Sequence, residues 1–347
     1  VTVATAGLGY VFDLLAIFSV AERFHRQSVK LAGQLQQPDV VSTAYELMTL
    51  HQLYLGHWEA VLTLGQQAAA AYHTTGDLRD WGWVTTWMAL ASAHRGDLSQ
   101  ALALAESLLQ VGRDGGDQQV RLLGVLMQGY AELRLGRLPE ATTHAQQAIE
   151  LAESIPDYAG RVGAGVQLGQ CYLRQGQLAA ALDALEASRR ISLAYQVREP
   201  INMAKLRNGL AEAHLSAAEQ SEIAERGDWL KQAGRACKVA LAQANAVRGF
   251  RPEALRWQGR YEWLKGKAAR ARQSWQRSLA EAEASEMQYE LGLTHLELGQ
   301  RLRERAHLEK AEAIFTAINA EFDLVGARES LSQLRTAGEL HQDSTMI

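Results

Sequence analysis

The amino-acid sequence predicts an all-α fold, a right-handed α-solenoid of about eight helical hairpins. Three observations predict it. Small residues recur every 40 positions, no segment sustains the apolar–polar alternation of a strand, and only 5 of the 347 residues are proline. Because 47% of the residues are hydrophobic, the chain is also too apolar to be disordered as a whole. Stacked helical repeats account for this length without several separate domains.

Two series of small residues define the repeat. In the first series the step is 40 residues, apart from one step of 50 between Gly209 and Gly259, and the second series keeps the 40-residue step up to Gly176 and resumes at Gly266. The first series is Gly9, Thr49, Ala89, Gly129, Gly169, Gly209, Gly259 and Gly299, and the second is Gly56, Gly96, Gly136, Gly176 and Gly266. Eight units therefore cover nearly the whole chain, and each has room for two helices of about 15 residues.

Each unit is predicted to be a helical hairpin, and residues 168–181 show this most clearly. Gly169 allows two antiparallel helices to approach closely, and Ala181 keeps the second helix thin where they cross. Gly176 ends the first helix at a position that favours positive φ. Leu178, Ala181 and Leu185 then share one face of the second helix.

The same segment resembles the tetratricopeptide repeat pattern L-G-x-A-Y-x-x-x-G-x-Y-x-x-A. Cys171 replaces the first alanine of the pattern and Leu178 replaces the second aromatic residue. The resemblance implies a superhelix whose concave groove is lined by the first helix of every unit. In members of that family that clamp a carboxylate, basic and Asn side chains occupy positions five and nine, whereas these positions are largely apolar here.

The repeats predict one superhelical domain over residues 1–336. Between Gly209 and Ala233 the spacing is 24 residues where the corresponding step from Gly169 to Ala181 is 12, so we expect an overlong hairpin near residues 209–233 that projects from the solenoid. Residues 337–347 are expected to be a polar, disordered tail. The chain starts at Val1 inside an apolar run, and we expect it to be a piece of a longer protein.

Composition and motifs favour binding over catalysis. Cys171 and Cys237 cannot form a disulfide framework, which indicates a reducing, cytoplasmic setting. The 10 histidines form no compact ligand pattern, and no phosphate-binding loop or nucleophile elbow occurs. We therefore expect no enzyme activity, cofactor or metal. No apolar run is long enough to span a membrane. The net charge of −4, which leaves the protein acidic as a whole, disfavours nucleic-acid binding.

Four groove residues are candidates for ligand contact. Trp83 and Trp87 lie four residues apart on one helical face, and Tyr130 and Gln170 occupy position nine of successive units. Aromatic residues at such spacing are also typical of a packed core, and both interpretations remain open. The apolar groove favours an apolar helix or an extended peptide as partner, or else tight packing of the superhelix on itself.

Residues 248–277 form a basic segment with nine Lys or Arg and two Glu, a net charge of +7 in a chain whose remainder carries −11. Arg256, Arg260 and Trp263 take positions five, nine and twelve of one first helix. We expect them to point together into the groove, partly exposed, and to dock an acidic peptide or protein segment. A solvated basic face is the alternative.

Residues 262–271, 278–283, 287–293 and 313–315 resemble the C-terminal repeats of large bacterial signalling ATPases. In that family a class III nucleotidyl cyclase or Ser/Thr kinase precedes a STAND-type ATPase. The resemblance implies a non-catalytic regulatory sensor arm that binds a peptide, a protein segment or other domains of its parent chain. The alternative is the small-molecule inducer domain of a MalT-like transcription activator.

Overall fold

The structure is a computed structural model that describes residues 1–343, with side chains described for residues 1–336. These residues form seventeen α-helices, one 3₁₀ turn at Arg248–Phe250 and no strand. The helices are α1 (Thr2–Leu14), α2 (Phe18–Leu35), α3 (Pro38–Leu55), α4 (Trp58–Thr75), α5 (Leu78–Arg95), α6 (Leu98–Asp114), α7 (Gln118–Leu135), α8 (Leu138–Ser154), α9 (Tyr158–Arg174), α10 (Leu178–Ala194), α11 (Pro200–Gln220), α12 (Ile223–Gln243), α13 (Arg251–Leu264), α14 (Ala268–Ala284), α15 (Gln288–Leu302), α16 (Arg305–Ala317) and α17 (Glu321–Asp343).

Successive helices pair into eight hairpins, α1 with α2 through α15 with α16, and α17 follows them. The predicted all-α repeat solenoid is thereby confirmed. The small residues of the repeat stand where the helices of a hairpin meet. A Cβ on Gly169 would lie 2.7 Å from Cγ of Leu185, so only glycine permits this approach.

Helix ends follow from local chemistry. Asp77, Asp97, Asp117 and Asp157 cap α5, α6, α7 and α9 because their carboxylates accept hydrogen bonds from backbone N–H groups of the first turn. Between the helices of a hairpin, the chain turns at the predicted glycines, and Gly176 has a φ of 73°. The sequence thus sets each hairpin's length locally.

The sixth hairpin is longer than its neighbours. Helices α11 and α12 span 21 residues each, where α9 and α10 span 17. At the C-terminus, α17 runs to Asp343 and so includes residues 337–343 of the predicted tail. Residues 344–347 lie outside the described part of the chain, and the division into a domain and a tail stays a prediction.

The superhelix is wound so tightly that distant hairpins touch. A Cβ on Gly56, between α3 and α4, would lie 2.8 Å from Cα of Gly249. A Cβ on Gly136, between α7 and α8, would lie 2.8 Å from the backbone nitrogen of Phe322. Helix α15 also contacts α5, and α17 contacts α7. These contacts join distant hairpins across the groove and narrow it into a lumen.

The outer helices seal this lumen from outside with apolar packing. Trp58, Trp275 and Phe315 on α4, α14 and α16 are buried completely. Cys171 and Cys237 are buried and unbridged; burial raises the pKa of the Cys171 thiol to about 11. No helix in residues 1–343 combines the length and the apolar character that a bilayer crossing requires.

Candidate functional site

The lumen is lined by the first helices of the hairpins, as the repeat predicts. It consists of two chambers. The first, here called the apolar chamber, is surrounded by α1, α3, α5, α7, α9 and α11. The second, the charged chamber, lies among α5, α7, α9, α11, α13 and α15. Tyr130, Gln170 and Lys205 line both chambers and so form their junction.

The apolar chamber has a volume of about 670 Å³. Its wall is mostly aliphatic and aromatic, and the residues that make it so are Leu47, Leu50, Tyr54, Trp83, Trp87, Leu90, Leu123, Leu126, Met127, Val166 and Ile201. Gln167, Gln170 and Asn202 add amide groups on one side. A volume of this size is typical of a ligand pocket, for which about 300–1,000 Å³ is usual.

Four carboxyl groups line this chamber as well, those of Glu46, Asp80, Asp157 and Glu199. Glu46 accepts a hydrogen bond from the Tyr72 hydroxyl. Burial raises the pKa of Glu46 to about 7, opposed by that hydrogen bond and assisted by Asp80 and Asp77. The chamber therefore holds a carboxyl group that is partly neutral near pH 7.

The charged chamber is smaller, about 190 Å³, and most of its charges are paired. Arg256 makes a two-pronged ion pair with Glu290, with 2.6 Å between Nε and Oε1. Arg174 pairs with Asp323 and donates a second hydrogen bond of 2.7 Å to the Tyr289 hydroxyl. Opposite charges hold the pKa of Glu219 below its usual range against the effect of burial, because Arg260 and Arg301 both bind it.

The structure corrects the expectation that Arg256 and Arg260 are partly exposed and free to meet an acidic partner. Arg256 is only 5% exposed, and both guanidinium groups are engaged by carboxylates of neighbouring hairpins, Glu290 and Glu219. A guanidinium placed this deep needs a nearby anion, which the fold itself supplies. Five of the nine cations in residues 248–277 form ion pairs with carboxylates, namely Arg251, Arg256, Arg260, Lys267 and Arg272.

The expectation for Trp263 is wrong as well. Its ring packs against the fully buried Trp275, with 6.2 Å between ring centroids, and it lines neither chamber. The aromatic neighbour of the two arginines is Trp257, whose ring centroid lies 3.9 Å from Arg256 Cζ and 5.7 Å from Arg260 Cζ. The helix turns position twelve away from the lumen.

The other four candidates do reach the lumen. Trp83 and Trp87 line the apolar chamber, while Tyr130 and Gln170 stand at the junction. Trp87 is also 8% exposed and packed in the core, so the two interpretations of these tryptophans hold together. Their location is established, whereas a role in binding stays a prediction.

Sequence reasoning missed two cations at the junction, Arg134 and Lys205. The Tyr130 ring centroid lies 3.5 Å from Arg134 Cζ and 4.4 Å from Lys205 Nζ. The Tyr130 hydroxyl accepts a hydrogen bond from Arg134 and can donate one of 3.1 Å to Nε2 of His94, because burial keeps the pKa of His94 well below its usual range. Neither cation stands at motif position five or nine, which explains why the repeat pattern did not reveal them.

The structure also corrects the expectation that the histidines form no compact cluster. His25 Nε2 lies 2.8 Å from one Asp13 oxygen, and His51 Nδ1 lies 2.6 Å from the other. His51 Nε2 is 3.0 Å from Glu22. Three helices bring these residues together. Their ligand atoms are close enough for a metal ion, yet hydrogen bonds already occupy every nitrogen that faces a carboxylate.

Both ring nitrogens of His51 face carboxylates, so both must carry hydrogen. His51 is thus an imidazolium between Asp13 and Glu22. Burial opposes that charge, but the hydrogen bonds and charges of the two carboxylates raise the pKa of His51 above its usual range. The cluster fastens α1, α2 and α3 together at the start of the solenoid and lies apart from the lumen.

Comparison with known protein families matches residues 121–194 to the tetratricopeptide repeat. This segment runs through α7, α8, α9 and α10 and contains the motif at residues 168–181. The predicted tetratricopeptide-like character of the repeat is confirmed. A search of curated proteins found no significant match.

Solved structures of similar fold cover nearly the whole chain. The crystal structure of a Rap protein complexed with competence and sporulation factor has a TM-score of 0.61 and 10% identity, covering 96% of this chain and 99% of its own. The Rap conjugation gene regulator of plasmid pLS20 in complex with the Phr* peptide has a TM-score of 0.59, 10% identity and 97% coverage of both chains. At these identities the comparison establishes the fold alone.

A STAND protein with a tetratricopeptide repeat sensor from Pyrococcus horikoshii is also similar, at a TM-score of 0.47 and 15% identity. The match covers 94% of this chain and 50% of that protein. A TM-score this low does not establish a shared fold. Fold and lumen together define the class of this molecule: a closed, tetratricopeptide-like α-solenoid with an internal chamber.

Proposed function

We propose that this chain is a regulatory sensor that binds a short, extended peptide inside its lumen. The observation that carries the proposal is the apolar chamber, where six successive first helices surround about 670 Å³. Because the solenoid closes on itself, helices that are far apart in the sequence line the same cavity. A ligand placed there touches many hairpins at once.

The wall suits a peptide because it offers both kinds of contact that a peptide needs. Trp83, Trp87 and Leu126 supply apolar surface for side chains. Gln170 lines both chambers, and its side chain makes no hydrogen bond within residues 1–336, so its amide can serve a peptide backbone. Of the two similar Rap structures, one was solved in complex with the Phr* peptide and the other in complex with competence and sporulation factor.

In this proposal the chain regulates by binding and carries no catalytic step of its own. A ligand in the lumen changes the relative stability of hairpin arrangements, because it contacts helices whose packing sets the winding of the solenoid. The resemblance of the last hundred residues to signalling ATPases supports a place in a larger bacterial signalling protein, in which further domains or a partner protein would read this change.

A small apolar inducer is the second candidate. The volume of the apolar chamber, about 670 Å³, also falls within the usual range for small-molecule pockets. The peptide and the inducer differ in whether the ligand extends past the junction. A compact inducer needs the apolar chamber only, whereas an extended peptide also passes Tyr130, Gln170 and Lys205 into the charged chamber.

The test compares two groups of compounds on the same protein. Pools of hexapeptides built from Leu, Val, Ile and Phe, and a library of small apolar metabolites, are added while the melting temperature and tryptophan fluorescence are recorded. Ligands that bind only the folded chain raise its melting temperature. We expect a rise with peptide pools. A rise with metabolites alone would favour the inducer, and no response to either would contradict both candidates.

A matched pair of variants locates the binding. Leu47→Glu places a charge in the wall of the apolar chamber, whereas Leu62→Glu places one on the outer helix α4 at a similarly half-buried position. Both variants are expected to lose some stability. Only Leu47→Glu should abolish the peptide response, because burying an unpaired carboxylate against an apolar ligand is costly.

A further inference from the structure

We propose that Lys205 and Arg134 form a seat for a carboxylate of the ligand, at the junction between the two chambers. The inference rests on the proposed function and specifies its ligand. The ligand is a peptide whose apolar residues fill the apolar chamber and whose carboxylate lies at the junction against these two cations.

The first observation is that these cations lack the partners that their neighbours have. In the lumen, Arg174, Arg256 and Arg260 each form an ion pair with a carboxylate. Within residues 1–336, no carboxylate oxygen lies within 4.0 Å of Lys205 or Arg134. Both lie in the half-buried wall of the charged chamber, where water screens charge less than at the surface.

The second observation is that the nearest carboxylates are engaged elsewhere. Glu199 caps α11, and its two oxygens accept hydrogen bonds from the backbone N–H groups of Ile201 and Asn202. Glu253 accepts a hydrogen bond of 2.9 Å from the Asn208 amide. Neither carboxylate forms an ion pair with Lys205. The fold therefore leaves room at the junction for an anion that it does not supply.

The third observation is the Tyr130 ring, which lies near both cations. Arg134 Cζ lies 4.9 Å from the Tyr289 ring centroid as well, and its Nε is buried without a hydrogen-bond partner in the described structure. Aromatic faces partly compensate a cation that has lost water. A ligand carboxylate would supply the missing acceptor, in a geometry that a guanidinium and an ammonium can share.

The charges around the seat favour a single negative charge. Glu199, Glu253 and Glu212 lie close enough to affect the ionisable groups of the junction and the charged chamber. A dianion such as phosphate would be repelled by these carboxylates more strongly than a carboxylate ligand. The seat is therefore assigned to a carboxylate, which can be the C-terminus of the peptide or an Asp or Glu side chain.

The experiment uses the full chain and three peptide pools built on the same Leu, Val, Ile and Phe hexapeptides. One pool has a free C-terminal carboxylate, one has a C-terminal amide, and one has the amide plus a single Asp. Affinity is measured by tryptophan fluorescence. We expect at least one carboxylate pool to bind about tenfold more tightly than the plain amide pool. Which pool does so identifies the source of the carboxylate.

Two substitutions assign the preference to the seat. Lys205→Met should abolish the difference in affinity between the carboxylate pool and the amide pool, and Lys205→Arg should retain that difference. Lys238→Met, on the exposed face of α12, is the control and should change nothing. Melting temperatures without ligand show whether each variant is folded.

The possible outcomes separate this inference from the proposed function. Equal binding of all three pools would overturn the carboxylate seat and leave peptide binding intact. A carboxylate preference that survives Lys205→Met in a folded protein would also overturn it. Tighter binding of inorganic phosphate than of acetate at the junction would contradict the choice of a single negative charge. No binding of any pool would overturn both proposals.

Discussion

Gly56 and Gly249 are in direct contact although Gly56 lies in the second hairpin and Gly249 precedes the seventh. A Cβ on Gly56 would come within 2.8 Å of Gly249 Cα and 3.1 Å of its backbone nitrogen. Gly56 also has a φ of 78°. Gly56 therefore has two roles. It ends α3 with a positive φ, and its lack of a Cβ lets the chain at Gly249 pack against it.

Alanine substitutions at Gly56 and Gly176 should distinguish the effect of the positive φ from the effect of the contact with Gly249. Gly176 has a φ of 73° and open space around it. Gly176→Ala should cost only the strain of the left-handed conformation, about 1–2 kcal/mol. Gly56→Ala should cost clearly more, because the backbone of Gly249 must move. Urea unfolding measures both, and equal losses would show that the contact at Gly249 contributes nothing.

The buried pair Arg256–Glu290 should behave as part of the structural framework. Arg256→Met leaves Glu290 buried without its partner and should destabilise the chain by about 3–5 kcal/mol. The double variant Arg256→Met with Glu290→Leu should recover most of that loss. Arg113→Met, which breaks an exposed pair with Glu106, is the control and should cost at most about 1 kcal/mol. Denaturant titrations of the four proteins provide the test, and a cost for Arg256→Met no larger than the control would refute this role.

The His51 cluster predicts how stability depends on pH. The pKa of His51 is raised in the folded chain, so the folded state holds this proton more tightly than the unfolded state. That stabilisation is complete below the unfolded value of about 6.5 and is lost as the pH rises through the folded value.

Wild-type protein should therefore lose more stability between about pH 6 and pH 9 than His51→Gln, in which this proton is absent. His73→Gln, at an exposed position on α4, should follow the wild type. Free energies of unfolding from urea titrations at several pH values supply the measurement. Parallel curves for wild type and His51→Gln would contradict the assignment of an imidazolium.

Lys205 predicts a second pH effect, on ligand preference. Burial lowers the pKa of Lys205 to about 8 and Arg134 adds to the shift, whereas Glu199 and Glu253 oppose it. Around this group, Tyr130 and Arg134 face it from α7, Glu199 from the start of α11 and Glu253 from α13. The carboxylate preference of the wild type should fall as the pH rises beyond this value.

Lys205→Arg should keep its preference at about pH 9.5, because a guanidinium remains charged there. Fluorescence titrations with the carboxylate and amide pools at each pH compare the two proteins. A wild-type preference that is constant up to that pH would show that the ammonium group of Lys205 does not hold the carboxylate.

The repeat spacing predicted the fold because hairpin formation depends on nearby residues. Gly169, Gly176 and Ala181 act within one unit, where helix crossing and chain reversal are decided by the size of a side chain and the sign of φ. For the same reason Trp83, Trp87, Tyr130 and Gln170 could be placed on the lumen side from the period alone.

The pairing of charges could not be predicted this way. Arg260 and Glu219 lie in adjacent hairpins, and Arg174 and Asp323 meet only because the solenoid closes on itself. Composition showed a basic segment, whereas the fold neutralises its central arginines with carboxylates from elsewhere. Asp13, His25 and His51 escaped notice for the same reason, since three helices bring them together.

By itself, then, the sequence determined the hairpins, their 40-residue period and the inward-facing positions of Trp83, Trp87, Tyr130 and Gln170, because these depend on interactions within a unit or between neighbours. The tertiary structure alone decided that the groove closes, that Arg256 and Arg260 are paired while Lys205 and Arg134 are not, and that Trp263 lies outside the lumen. Those properties depend on distances between hairpins that are far apart along the chain. Small differences in packing at every unit accumulate and determine these distances.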